Sequence, residues 1–318
     1  MPSQTDIRQQ ITNQIVESLE KGGGPVWRRP WRLGAHGGAP CNVQSKRPYR
    51  GLNPLLLSLH ADRHGLNSNW YGTFRQWKAL DGTVKPRPLN VPEGEWGCKI
   101  VYWSPVTKIA KNDKGEDEPD RFFVLRLYSV FSLDQVDAPH LDHLRVDQAA
   151  DADPLSVDHR SADEALEAAL GGMGVDLRYG GTRAFYSPPP REFIQLPPKA
   201  SFVSLSEFFA TAFHECVHAT EHPDRLDWSR KNRDNSYALG ELIAELGGVF
   251  VCRELDVPAS QDLSNHTAYL ATWLRGMKGD PRFIFMASAQ ASRAASYLLS
   301  FSRKPEEVPS EEGELVEA

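Results

Sequence analysis

The apolar positions near the start of the chain fall on one helical stripe. Ile7, Ile11, Ile15 and Leu19 recur every four residues, which predicts an amphipathic helix over 5–21. A loop of Gly, Pro, Trp and Arg follows (GGGPVWRRPWRLGAHGGAP). Then PYRGLNPLLLSLHADRHG predicts a helix opening near Pro54, where proline suits a first turn, and ending at Gly65. Residues 70–81 (WYGTFRQWKALD) read as another short helix, and KIVYWSPV and RFFVLRLYSVFSL alternate as strands around the charged turn KNDKGEDEPD. Residues 136–160, rich in Asp, His and Ala, read as a linker. Beyond it, Ser161 and Glu164 have capping-box spacing for the helix ADEALEAAL, with Gly171 closing it. VDLRY and TRAFYSP predict a β-hairpin about Gly180-Gly181, and REFIQLPP a further strand. Ser204 and Glu207 repeat the capping-box spacing and open the helix LSEFFATAFHECVHAT. One more helix is expected over about 236–255 and two within 265–302.

The fold class this predicts is α+β in two domains. A small α+β domain covers 1–135, 136–160 link, and a second domain covers 161–303. Residues 304–318 carry six Glu and are expected to be a disordered acidic tail. A chain of 318 residues can bury a core in each domain. No apolar run approaches the ~20 residues that span a bilayer. The N-terminal helix lacks the apolar core of a signal peptide. Cys41, Cys98, Cys216 and Cys252 are scattered without a C-x-x-C pair, so they read as reduced thiols of a cytoplasmic protein.

Charge divides the chain. Residues 1–112 hold 16 Lys and Arg against 7 Asp and Glu, a net of +9 inside an overall −6, so the remainder carries −15. Six of the eight tryptophans lie in the basic part: Trp27, Trp31, Trp70, Trp77, Trp96 and Trp103. Single-stranded nucleic acid is bound by cationic grooves with aromatic side chains on which bases stack. Three clusters interleave both kinds: Trp27, Arg28, Arg29, Trp31 and Arg32; Lys46, Arg47, Tyr49 and Arg50; and Trp70, Tyr71, Phe74, Arg75, Trp77 and Lys78. Core tryptophans are the competing reading for any one cluster. Together they favour nucleic acid as partner, and single-stranded DNA is the one expected. The GGG at 22–24 lacks a P-loop lysine.

The acidic half carries His214-Glu215-Cys216-Val217-His218, an H-E-x-x-H pattern. Positions four apart share a helix face, so both imidazoles can reach one ion while Glu215 stands beside them as general base. Zinc (Zn2+) keeps a position open for water and lowers its pKa to about 7. Two surface histidines on an ordinary helix are the bland alternative. Glu241 and Glu245, four apart on YALGELIAELGGVF, are the third-ligand candidates. Glu241 is assigned as ligand and Glu245 as support for a histidine, with the reverse assignment as alternative. His222 is a rival, although Pro223 ends the helix there; His266 has no motif around it. Tyr179, Phe185 and Tyr186 either line a substrate edge or, more simply, pack a core. Arg225 and Tyr237 could face developing negative charge or be structural.

With these residues in hand, the sequence resembles the ArdC-type antirestriction family of plasmids and phages. The stretches that carry the resemblance are VWRRPW, RPYRGLNPLLL, NWYGTFRQWKALDG and KIVYWSPV. In the second half they are AFYSPPPREFIQLP, FHECVHATEHPDRLDW, YALGELIAELGGVFVC and NHTAYLATWLRGMKGDPRFIFMASAQASRAASYLL. The resemblance implies an N-terminal single-stranded-DNA-binding domain, shared with TraC-type primases. It also implies a C-terminal zincin-like metallopeptidase domain and a role in protecting incoming DNA from host restriction. Departures from the pattern are Glu221 in place of Gly, Gly240 in place of an acid, and KPRPLNVPEGEWG in place of a Lys-Gly turn. The protein substrate is not named by the sequence. Two other functions compete: a DNA-binding shield whose zinc is non-catalytic, and a repair protease acting on DNA-bound proteins. Retention of Glu215 disfavours a purely structural ion, which needs no general base.

Overall fold

The computed structural model describes residues 3–22, 39–111, 117–145, 159–228, 236–258 and 264–303. The cluster Trp27, Arg28, Arg29, Trp31 and Arg32 lies outside the described residues, as does the acidic tail from 304 onward. The fold is α+β. The first helix, α1 (Gln4–Gly22), buries the stripe Ile7, Ile11, Ile15 and Leu19, none more than 4% exposed. Next come β1 (Cys41–Asn42), α2 (Asn53–His64), β2 (Trp70–Thr73), α3 (Phe74–Ala79) and β3 (Thr83–Val84). Two long strands follow, β4 (Cys98–Lys111) and β5 (Asp117–Ser132), paired antiparallel from Cys98↔Val130 to Lys111↔Asp117. They complete a sheet of order β1-β2-β5-β4.

The helix expected over 70–81 starts only at Phe74. Trp70–Thr73 is strand, and Thr73 caps α3 in a reciprocal box with Gln76. The aromatic and β-branched run suits the sheet, and the T-x-x-Q spacing marks where it stops.

Residues 136–145 are not linker. Val136–Asp137 (β6) pairs with β3, and a 3-10 turn spans Pro139–Leu144. Arg145 donates to the carbonyls of Leu133 (2.9 Å) and Val136 (3.0 Å). Few apolar residues suffice here because Val136 and Ala138 fill a small core with Val43, Trp70, Trp77 and Leu133. Residues 146–158 lie outside the described residues.

The second half contains α4 (Arg160–Met173), β7 (Asp176–Tyr179), β8 (Phe185–Ser187), β9 (Phe193–Leu196), α5 (Leu205–Ala219), α6 (Ser236–Glu254), α7 (Ser264–Gly279) and α8 (Phe283–Ser300). α4 begins at Arg160, so Ser161 lies inside its first turn and not at a cap. Gly174 at φ 68°, not Gly171, closes it. The expected hairpin about Gly180-Gly181 does not form. β9 lies between β7 and β8, parallel to β7 and antiparallel to β8. Alternation identifies a strand but not its partner.

The two halves share one continuous core. It runs from Ile11, Leu55 and Leu125 of the first half to Phe213, Leu242 and Leu298 of the second. Polar ties cross the same boundary: Thr12 Oγ1 donates to the Pro281 carbonyl (2.9 Å), the Gly51 N–H to Ser292 Oγ (2.8 Å), and Arg253 Nη2 to Ser58 Oγ (3.1 Å). A fragment ending at 135 would therefore expose apolar surface that the full chain covers.

α2 also buries His60, 5% exposed, with its ring 4.5 Å from that of His64. Burial, then the neighbouring His64, pushes His60 down to about 3. Above the ordinary histidine value of about 6.5 both folded and unfolded chains hold it neutral. As pH falls below that, the unfolded chain gains a proton that the folded chain refuses until about pH 3, so folding weakens. Urea unfolding is expected to show about 3 kcal/mol less stability from this site at pH 4.5 than at pH 7. In His60→Leu that acid-dependent loss should shrink by most of this amount. An unchanged loss would assign it to other groups.

Candidate metal centre and nucleic-acid surface

α5 is fixed at its start by Ser204, whose hydroxyl accepts the Glu207 N–H at 3.2 Å. Phe208, Phe209, Ala212, Phe213, Cys216 and Val217 bury one side of it. The other side carries His214 and His218, rings 4.9 Å apart. α6 packs against this helix at two consecutive glycines. A Cβ at Gly247 would stand 2.8 Å from a Val217 methyl, and one at Gly248 would stand 3.2 Å from the His214 backbone nitrogen. The missing side chains let α6 approach closely at the level of the histidines, which brings its acids within reach of them.

The result is a compact donor cluster. Glu241 Oε2 lies 3.7 Å from His214 Nε2, and Glu241 Oε1 lies 3.6 Å from His218 Nε2. One nitrogen from each histidine and one oxygen of Glu241 fall within 4.8 Å of one another, the one such group among the described residues. Glu245, its side chain fully buried, is 3.9 Å from the other nitrogen of His214, Nδ1. Burial tends to lower His214, but its hydrogen bond to Glu241 and the charges of Glu215, Glu245 and Glu241 raise it overall. Glu215 is 7% exposed, and burial lifts it above the usual carboxylate range, with the His214 charge acting against.

The backbone of Tyr186 on β8, the edge strand of its sheet, favours the charged form of Glu215. The Tyr186 hydroxyl donates to Glu192 at 2.5 Å. Arg225 grips both oxygens of Glu192 (2.6 and 3.0 Å) and donates to the carbonyls of Ala219 and Met173 (2.6 and 2.9 Å). Arg225 therefore clamps β8 to the end of α5 and does not face the donor cluster. Nothing in the sequence announces this clamp, because its partners lie 33 residues apart. His222 Nδ1 accepts the Asp224 N–H at 3.1 Å and is not in the donor cluster. The His266 side chain lies outside the described residues. Tyr179 is 55% exposed and stacks on Phe208.

The surface built from β1, the turn after it and α3 gathers cations. Arg47, Arg50, Arg75 and Lys78 are exposed. Asn42 ties the two segments, donating to Tyr49 and Gln76, both at 3.2 Å. Two of the aromatic candidates are not on this surface. Trp77 is 0% exposed, with its indole N–H on the Phe131 carbonyl at 3.0 Å, and Trp70 is 7% exposed beneath Lys46, whose ammonium lies 4.7 Å from its ring. Both fill the small core, so neither can stack a base. Tyr49 is half-buried. The aromatic that does stand in solvent is Phe74, 58% exposed beside Arg75. On the hairpin, Trp103 is 41% exposed, and Arg8 lies 5.5 Å from its ring centre.

Comparison with known proteins follows this division of the chain. Residues 5–131 match the N-terminal domain of anti-restriction factor ArdC, and residues 164–290 match a zincin-like metallopeptidase family. An uncharacterised protein, y4eC, of Sinorhizobium fredii is 32% identical over 92% of this chain and 92% of its own length. The metal-free crystal structure of the antirestriction protein ArdC from the R388 plasmid superposes with a TM-score of 0.71 at 33% identity, covering 93% of this chain and 98% of that one. The chain belongs to the ArdC antirestriction family. A Mn(II)-bound structure of the same plasmid protein aligns with a TM-score of 0.68. The DNA primase TraC of Escherichia coli is 32% identical over 94% of this chain, which spans 27% of that longer protein. This ArdC-family chain therefore combines an ArdC N-terminal domain with a zincin-like metallopeptidase domain, a fold that implies a divalent metal. No helix among its described residues is long and apolar enough to cross a membrane.

Proposed function

We propose that this ArdC-family chain binds single-stranded DNA through its first half and hydrolyses a peptide bond at a zinc centre in its second. Its role is then to protect incoming plasmid or phage DNA from host restriction. The observation that carries the reading is the convergence of His214, His218 and Glu241 from two packed helices, with the buried Glu215 beside them. The donor set fits the ion. Donors about 2 Å from one tetrahedral ion lie about 3.3 Å apart, close to the 3.6 and 3.7 Å separations here. Two imidazoles and a carboxylate are ligands zinc accepts. His214 and His218 through Nε2, and Glu241 through its carboxylate, would hold it. Glu245, on the Nδ1 side of His214, would fix the tautomer that leaves Nε2 free to ligate.

When bound, zinc supplies Lewis-acid polarisation of a water and of the scissile carbonyl. Glu215 takes the water proton on its carboxylate and returns it to the leaving amine nitrogen. The backbone of Tyr186 beside Glu215 favours its charged form. An extended substrate can add as a strand along the edge of β8, beside Glu215. The substrate is a protein met at the incoming DNA, a restriction enzyme or another DNA-bound protein.

Elemental analysis tests the centre. One zinc per chain is expected, with nearly complete loss in His218→Ala. Glu241→Ala should lose more metal than Glu245→Ala; the opposite order would exchange their roles. Equal zinc in the unaltered chain and His218→Ala would remove the centre.

A further inference from the structure

β4 and β5 run on as a two-stranded ribbon past the end of β2, which pairs only with Val130, Phe131 and Ser132 of β5. Along β4 exposure alternates. Trp103, Pro105 and Thr107 stand in solvent, with half-buried Tyr102, Ser104 and Val106 between them. Residues directly opposite in an antiparallel pair share a face. Trp103 pairs with Leu125 and Pro105 with Phe123, so Phe123 lies on the Trp103 face, diagonally across from it. Phe123 is 63% exposed, and Ile109 extends the same face outward at 71%. The inner end is anchored: Leu125 is 2% exposed and Val101 7%. One face of the ribbon thus carries Trp103, Pro105, Phe123 and Ile109 contiguously in solvent, which marks a binding surface and not scattered apolar exposure.

Two features select nucleic acid over another protein strand as the occupant. β4 is the outer strand of its sheet, yet Pro105 has no N–H to offer, and Lys99 and Lys108 put charge along it. These devices discourage a further strand from pairing. The described side chains of the ribbon also include Lys99, Lys108 and Arg126 and no Asp or Glu. Arg8 of α1 adds a guanidinium 5.5 Å from the Trp103 ring centre. Lys99 shares the Trp103 face and donates to Ser129 Oγ at 2.6 Å. Acids return only within 113–120, toward the turn.

We propose that this face of the ribbon is a base-stacking platform for single-stranded DNA. Trp103 and Phe123 take neighbouring unpaired bases, and Arg8 and Lys99 meet the phosphates. The inference rests on the single-stranded-DNA reading above and gives it a second surface, separate from Phe74 on α3. Rings beside cations hold single strands with little sequence preference, because every base has a π-face. Bases inside a duplex are already stacked and out of reach, so the platform discriminates against double strands.

The test is titration of a fluorescent oligo(dT) with the full chain at several salt concentrations, followed by anisotropy. Phe123→Ala and Trp103→Ala should each weaken binding about 5–150-fold. Their log–log salt slopes should not change, since a ring neutralises no phosphate. Arg8→Ala should flatten the slope by about 0.7. A duplex of the same length should be insensitive to Phe123→Ala. Phe123 is 63% exposed, so its loss should leave the Tm within a few degrees. That variant decides the matter even if Trp103→Ala, opposite the buried Leu125, fails to fold. Phe123→Ala that binds oligo(dT) as tightly as the unaltered chain overturns the proposal. If Phe74→Ala binds weakly in that case, the DNA reading survives on the α3 surface alone. A dimer in sedimentation that Phe123→Ala dissociates, with DNA affinity intact, overturns the platform in favour of contact between copies of this chain. An unaltered chain with no affinity for oligo(dT) is a different failure, that of the DNA reading itself, and it takes the platform with it.

Discussion

Replacing Glu215 by glutamine is expected to lower peptide-bond hydrolysis by about 10²–10⁴-fold, the usual contribution of a positioned proton acceptor. Zinc should stay bound. Glu215 is outside the donor cluster of His214, His218 and Glu241, and glutamine keeps its shape. Single-stranded-DNA binding should also be unchanged, since the cations of the first half are not involved. Zinc content, DNA affinity and hydrolysis of a casein-type substrate, measured on the same preparation, separate these effects. Loss of metal along with activity would place Glu215 among the ligands. Protection of incoming DNA is the further readout. If Glu215→Gln abolishes it, cleavage of a host protein is the mechanism. If protection survives without hydrolysis, occupancy of the DNA is sufficient and the peptidase has a separate task.

Two neighbouring aromatics of the basic half are expected to behave in opposite ways. Trp77→Ala should cost about 3–5 kcal/mol of stability, as large-to-small changes of buried aromatics do. The ring is 0% exposed and its indole N–H occupies the Phe131 carbonyl, which would be left unpaired. Phe74→Ala should cost little stability, since the ring is 58% exposed. It should weaken single-stranded-DNA binding by about 1–3 kcal/mol if a base stacks there. Removing Arg75 or Lys78 should flatten the salt dependence by about 0.7 in log–log slope for each phosphate no longer neutralised. Denaturant unfolding and DNA titrations at several salt concentrations check both halves of the comparison. A stable Trp77→Ala with impaired DNA binding would return that tryptophan to the interface.

The metal centre was the most legible part of the sequence because its information is local. Helical spacing places His214 over His218 and Glu241 over Glu245, and the structure brings these four side chains together. Helices were legible for the same reason: α1, α2 and α5 follow from apolar periodicity and caps within a few residues of each boundary. What failed was long-range. The partner of β8 is β9 and not β7, which alternation cannot reveal. Trp70 and Trp77 have the composition of a base-stacking surface and the location of a core, and composition alone does not separate the two. Residues 136–145 looked like a linker because their few apolar side chains are used fully. The Glu192–Arg225 clamp joins separate elements and leaves no spacing signature.

The close approach of α6 to α5 at Gly247 and Gly248 makes the centre a calliper. Its donors are carried by two rigid rods, so the gap between His214 and Glu241 is set by the separation of helix axes and not by loop conformation. A single methyl at residue 248 would meet the His214 backbone at 3.2 Å, where relief requires a shift of a few tenths of an ångström. Shifts of that size are comparable to the bond-length differences among divalent first-row ions, whose selection by proteins rests on geometry more than on intrinsic affinity. Which metal the chain keeps is in this sense a property of its helix packing, written in two residues that touch no ion.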